Sequence, residues 1–169
     1  KAVSPVVMTF GQVVAQGQNV NTRIMGVEPA AQEISSLVVV DGEFITQQQV
    51  DANSRVAVLG ATVAKNLFDD LSPVGQEIKI SGSQFRVIGV LEARGGMAMA
   101  NQDDQVLVPI TTAMNRLMAQ RTARGSRNVS TIYAQAVSEQ AISQAQEQIA
   151  AVLRERHHDV LHHLLQGDP

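Results

Sequence analysis

The stretch RVAVLGATVAKNLF, residues 55–68, holds residue types that suggest nucleotide chemistry: an apolar run, a glycine, then a helical pattern with an early lysine. A phosphate-binding loop needs G-x-x-x-x-G-K-[ST], where the second glycine lets backbone amides turn onto the phosphates and the hydroxyl holds magnesium. Here the sixth position is Lys65 itself, followed by Asn66, so both of those features are missing. A dinucleotide G-x-G-x-x-G is missing as well. The expectation is a strand handing over to a helix, with Gly60 relieving a tight turn.

Other chemical groupings are incomplete in the same way. His157, His158, His162 and His163 include i,i+4 spacings that could place two imidazoles on one metal. No third ligand stands at a recognised spacing, so a polar helix end, where a protonated histidine favours the dipole, is the better reading. The acidic pairs Asp69-Asp70 and Asp103-Asp104 could serve as an acid/base couple or hold a divalent cation. Adjacent residues seldom present both carboxylates to one site, and each pair lies beside a turn, which predicts solvated turn residues. No G-x-S-x-G elbow supports nucleophilic hydrolysis. The absence of cysteine excludes thiol nucleophiles and thiolate-bound zinc. Asn128-Val129-Ser130 fits a glycosylation acceptor triplet that chance also produces. The stretch 94–104, RGGMAMANQDD, lacks a period and reads as a loop whose Met97 and Met99, with Asp103 and Asp104, are candidates for contact with a partner.

The elements that position these residues follow from periodicity. Residues 3–28 read as strands with a hairpin turn at Gly17-Gln18-Asn19. Pro29 opens a short amphipathic piece, AAQEISSL, and an apolar run from Leu37 to Val40 ends at the turn signal Asp41-Gly42. Thr46 followed by Gln49 matches a capping box and predicts a short helix. A strand over 55–59 and a helix over 61–69 follow, with Val63, Leu67 and Phe68 on one face and Ser72-Pro73 as the stop. Ile78, Ile80, Phe85 and Val87 alternate with polar residues, predicting an antiparallel pair around Ser81-Gly82-Ser83.

QVLVPI is a further strand ending at Pro109, and TTAMNRLMAQ a helix with Met114, Leu117 and Met118 inside. A strand near 129–137 leads to the longest helix, where Ile142, Ala145, Ile149, Val152 and Leu153 recur at helical spacing after a Ser138 cap. The tail HHDVLHHLLQGDP, from His157, has no clear pattern. Strands and helices do not alternate strictly, so the class is α+β.

Composition bounds the function. With 169 residues, 44% of them hydrophobic, the chain can bury a core. A formal charge of −3, no basic block and only five aromatic residues argue against a nucleic-acid surface. No window approaches the ~18 apolar residues of a membrane span. Absence of disulfides leaves the redox compartment open.

Taken together, the ordered set VAVLG, LF, PVGQ.I, F.VIGVL, DD..LVP and LR.RH is closely similar to the extracytoplasmic core domain of MacB-type ABC transporter permeases, over about residues 1–158. The resemblance implies a periplasmic domain carried between two membrane helices of a cytoplasmic-membrane protein. It further implies two lobes: a porter-like α/β lobe of residues 1–54 and 129–169, and an inserted mixed β/α lobe, often called Sabre, of residues 55–128. Implied partners are a second permease copy, an ABC ATPase domain holding ATP, and, in tripartite members, a periplasmic adaptor and an outer-membrane duct. No cofactor is implied for the domain itself. Family members begin with a further strand and helix and end in an acidic, Phe-containing strand, whereas this chain ends in DVLHHLLQGDP, so the first lobe is expected to be incomplete.

Three readings follow. The leading one is a non-enzymatic domain that couples ATP-driven helix motion to export by closure and docking. The alternatives are a stand-alone module capturing a peptide or lipid between lobes, and an enzyme using the aspartate pairs.

Overall fold

The computed structural model describes residues 3–95, 103–118, 131–134, 146–152 and 154. Strands β1 (Val3–Ala15) and β2 (Gln18–Val27) form an antiparallel hairpin with Ala15 opposite Gln18. Its turn is Gln16-Gly17, both left-handed at φ 52° and 78°, the backbone whose twist matches paired strands. The turn thus falls one residue earlier than expected, because Gln18 and Asn19 pair into β2. Ser81-Gly82, at φ 48° and 85°, repeats the geometry between β5 (Glu77–Ile80) and β6 (Ser83–Leu91), as the alternating pattern predicted.

Helix α1 (Ala30–Ile34) follows Pro29, and β3 (Val39–Gly42) follows α1. Asp41 and Gly42 do not end the strand: both pair with β6, across a register shift after Val39. Helix α2 (Gln47–Asp51) has the expected capping box. The Thr46 hydroxyl accepts from the Gln49 N–H at 3.3 Å, and the Gln49 side-chain oxygen accepts from the Thr46 N–H at 3.0 Å. Then come β4 (Val56–Leu59) and α3 (Ala61–Phe68). α3 stops at Asp69, whose φ of 54° leaves the helical region, before Ser72-Pro73 is reached. β7 (Gln105–Pro109) runs into α4 (Ile110–Thr112), which widens into a π-helical turn over Ala113–Met118. There Thr111 and Thr112 donate to the Val50 and Ser54 carbonyls and Asn115 to Asn53. The helix expected here therefore forms, underwound into a π turn over one part, with Ala113 and Leu117 buried and its polar side tied to residues 50–54.

The hydrogen-bonded strands return on themselves in the order β1-β2-β7-β4-β6-β5-β1, a closed ring of six. β2 with β7 and β4 with β6 are parallel, and the other ring pairs are antiparallel. β3 adds to β6, and β8 (Thr131–Ala134) to β1. Closure leaves no open edge within the ring. α3 packs against β1, β2, β6 and β7, strands from different parts of the ring. Its Val63, Leu67 and Phe68 are buried with Phe85, Ile78 and Leu107 in one continuous core. Elements are mixed as the α+β class requires.

Chain division differs from the boundaries expected at Arg55 and Asn128. One compact unit spans Val3–Tyr133, and the other takes Lys1–Ala2 with Ala134–Pro169. The reason is pairing: β1 and β2, expected in one lobe, close the same ring as β4 to β7, expected in the other. In the second unit, residues 146–152 are helical, but Ile149 and Val152 are 44% and 56% exposed, so the helical period is present without the burial it suggested. Ile142, Ala145, Leu153 and the Ser138 cap lie outside the described residues.

Thr46→Ala removes the reciprocal cap of α2 and is expected to lower unfolding stability by about 1 kcal/mol in urea titration. An unchanged midpoint would show that α2 is held by Val50 packing alone.

Candidate functional site

The junction that resembled a phosphate loop is built on β4 and α3. Every residue of β4 after Val56 is buried, so the chain reaches Gly60 through the core. Gly60 is extended, at φ −68° and ψ 154°, a backbone open to any residue. The expectation from sequence that Gly60 relieves a tight turn is therefore corrected: its backbone does not require a glycine. The glycine is required by proximity: a Cβ there would lie 2.9 Å from the Asp103 carbonyl carbon and 3.0 Å from the Gln105 carbonyl oxygen. Those carbonyls also occupy the donors that a phosphate would need. Gly60 N–H donates to Gln105 at 2.9 Å and Thr62 N–H to Asp103 at 3.2 Å. The helix N-terminus is an anion site only when its N–H groups point at open space. Here the Gly60 and Thr62 N–H groups meet the protein's own backbone, and Lys65 is exposed.

Asp103 is the hub of this region. It is buried, and its carboxylate accepts the Arg94 N–H and the Gly95 N–H, each at 2.8 Å. Two successive amides converging on one anion form a backbone nest, here with Gly95 at φ 70°. The Arg94 guanidinium reaches on to the carbonyls of Ser35, at 2.9 Å, and Ser36. One aspartate thus joins the start of α3, the end of β6 and, through Arg94, the exit of α1.

This arrangement changes the reading of the acidic pairs. Asp103 is not a solvated turn residue, and its oxygens already accept backbone donors. Asp104 beside it is half-buried. Asp69 and Asp70 are exposed, as a turn predicts. Met97, Met99, the four histidines and the 128–130 triplet lie outside the described residues. Among the described residues, no group of three His, Asp or Glu could hold a metal ion. None of the described helices is long and apolar enough to cross a membrane. The nest escaped the sequence reading because its one visible signal was a glycine pair at 95–96, which also reads as a plain loop.

Comparison with known proteins gives this geometry its context. The model of the MacB-like periplasmic core domain matches residues 1–152. The chain belongs to that family. It is 36% identical over 157 residues to the macrolide export ATP-binding/permease protein MacB of Bdellovibrio bacteriovorus, covering 93% of this chain and 23% of the relative. A protein of the same name in Rhodospirillum rubrum is 37% identical over 159 residues, covering 92% and 24%. The chain spans about a quarter of the length of these relatives.

Two solved structures share the fold. The periplasmic region of MacB from Actinobacillus actinomycetemcomitans has a TM-score of 0.76 at 19% identity, covering 100% of this chain and 77% of that one. The extracellular domain of the transporter YknZ from Gram-positive bacteria has a TM-score of 0.77 at 20% identity, covering 93% and 76%. This MacB-like chain is accordingly a periplasmic domain of an ABC transporter permease.

Gly60→Ala is expected to lower unfolding stability by about 1–3 kcal/mol, because the 103–105 backbone must move. Lys65→Ala should leave it within about 0.5 kcal/mol. Paired urea titrations check this, and equal effects would contradict a junction held by backbone contact.

Proposed function

We propose that this domain transmits force: motion of the permease's membrane helices, driven by ATP on a separate ATPase domain, is converted outside the membrane into closure of two permease copies and export of substrate. The observation that carries the reading is the family match over residues 1–152, joined to relatives named as macrolide export ATP-binding/permease proteins. The physical observation that supports it is the closed six-stranded ring. A ring with no free internal edge is hard to shear, because sliding one strand breaks ladders on both of its sides. Such a body carries displacement from one end to the other instead of absorbing it.

The occupied start of α3 supports the same division of labour. The place that resembled a nucleotide loop is filled by the Asp103 and Gln105 carbonyls, which leaves nucleotide chemistry to the ATPase. The proposed work of this chain is docking and motion, without a catalytic group. An adaptor and an outer-membrane duct complete the assembly in this proposal. Asp104 is the described residue of the 94–104 loop proposed to meet a partner, with Asp103 anchoring the loop to the barrel.

The test uses the full-length permease. Single cysteines at the exposed positions Phe10, Val40, Leu71 and Ile132 are screened for disulfide cross-links between copies. The cross-linked form should lose at least tenfold of ATP-dependent efflux, with a macrolide as the first substrate, and regain it on reduction. Undiminished efflux from fully cross-linked protein would overturn the proposal.

A further inference from the structure

Between α3, the turn that follows it and the outer strand β3 lies an open groove of about 510 Å³. Buried apolar residues line it: Ala64 from α3, and Val90 and Leu91 from β6. Val40 of β3 and Leu71 of the turn line it too, and these are 61% and 67% exposed. The turn that carries Leu71 is fixed at both ends. Asp69 N–H donates to the Lys65 carbonyl at 2.8 Å, and Leu71 N–H to that of Phe68 at 3.0 Å. The Ser72 hydroxyl donates to the Asp41 carboxylate at 2.9 Å, which ties the turn to β3. Leu71 is thus held out to water by a hydrogen-bonded backbone.

The charges around this apolar groove are mostly of one sign. Asp69, Asp70 and Glu92 line it and are exposed, against a single cation, Lys65. Among the described residues none of these three carboxylates has an ion-pair partner. Asp41 adds a fourth carboxylate beside Ser72. Arg94, two positions beyond Glu92, does not line the groove, and its guanidinium is engaged by the Ser35 and Ser36 carbonyls. The C-terminus of α3, capped by Asp69, brings further negative potential. A helix end of that kind favours cations, so α3 gains no stability from aspartates at 69 and 70. Such a surface repels anionic lipid and nucleic acid and attracts a cation that carries apolar groups. Because its apolar rims stand exposed on two elements, it presents an open trough to a protruding chain. Its volume is more than three times that of a cavity known to hold benzene, room for more than one aliphatic side chain.

We infer that this groove docks a segment of a partner protein in which aliphatic side chains are flanked by lysine or arginine. The aliphatic side chains seat between Val40 and Leu71, and the flanking cations meet Asp69, Asp70 and Glu92. Burying each methylene there contributes about 0.8 kcal/mol. The rim charges set the sign of the partner and speed its arrival. The inference goes beyond the force-transmitting reading and holds or fails without it, since it concerns equilibrium binding to this chain with no membrane helix or ATP involved.

Fluorescence anisotropy on the 169-residue chain tests it, with a labelled nine-residue peptide alternating lysine and leucine as the probe. One control replaces every lysine with glutamate, and another every leucine with serine. Saturable one-to-one binding of the basic aliphatic peptide, at least tenfold tighter than both controls, is the expected result. Asp69→Asn/Asp70→Asn/Glu92→Gln should weaken it at least tenfold while its urea midpoint stays equal or rises. Val40→Thr/Leu71→Ser should weaken it similarly, Lys65→Gln should tighten it, and loss of the exposed carboxylate on α2 by Asp51→Asn should leave it unchanged. Absent binding, equal binding of the three peptides, full affinity in the charge variant, or a binding loss matched by a lower midpoint would overturn the site. Self-association of the chain that blocks the peptide and is lost in the same variants would also overturn it, by making a second copy the occupant. If the apolar variant does not fold, the peptide comparison and the charge variant decide.

Discussion

The close approach of Gly60 to the backbone of residues 103–105 is the contact on which this side of the molecule depends. It docks the start of α3 onto the strand that follows the 94–104 loop, and it does so through main-chain bonds that no side-chain substitution could replace. Once Asp103 is placed there, its carboxylate collects the amides of Arg94 and Gly95. Arg94 in turn fixes the exit of α1. A buried carboxylate left without donors would cost several kcal/mol, so these contacts stand or fall as a set.

The ring gives this set its mechanical meaning. β4 and β7, the two strands joined at the junction, are neighbours in the ring, and α3 reaches from them to β1 and β2. Displacement of Arg94, Gly95 or Asp103 is thereby passed to the ring core. The family places such a body on the periplasmic side of an ABC transporter permease. The proposed force-transmitting role asks for few internal degrees of freedom, a demand with which closed strand pairing and a clamped helix start are consistent.

Much of this was legible in the sequence. Local rules acted through near neighbours: the Thr46–Gln49 cap, the alternation of Ile78, Ile80, Phe85 and Val87, and the apolar face of Val63, Leu67 and Phe68 all formed as read. The turn at Gln16-Gly17 moved by one residue, and β3 ran through Asp41-Gly42, because strand pairing overrode the local turn preference. What the sequence could not show was long-range. That β1 and β2 close a ring with β4 to β7 depends on pairings between distant strands, so the division at Arg55 cut through one body. Gly60 looked like a conformational glycine, yet the reason for it sits more than forty positions away at Asp103. The family resemblance was carried by motifs spread along the chain and was legible throughout, while the buried role of Asp103 had no local signature.

The central claim, that the junction is a fixed part of the barrel, is tested most directly by native-state amide hydrogen exchange. The amides of Gly60, Thr62, Arg94 and Gly95 should exchange as slowly as those of Val58 and Leu107 in the core strands, all opening with a common free energy. Exchange of these four amides at loop rates, with β4 and β7 still protected, would contradict the account.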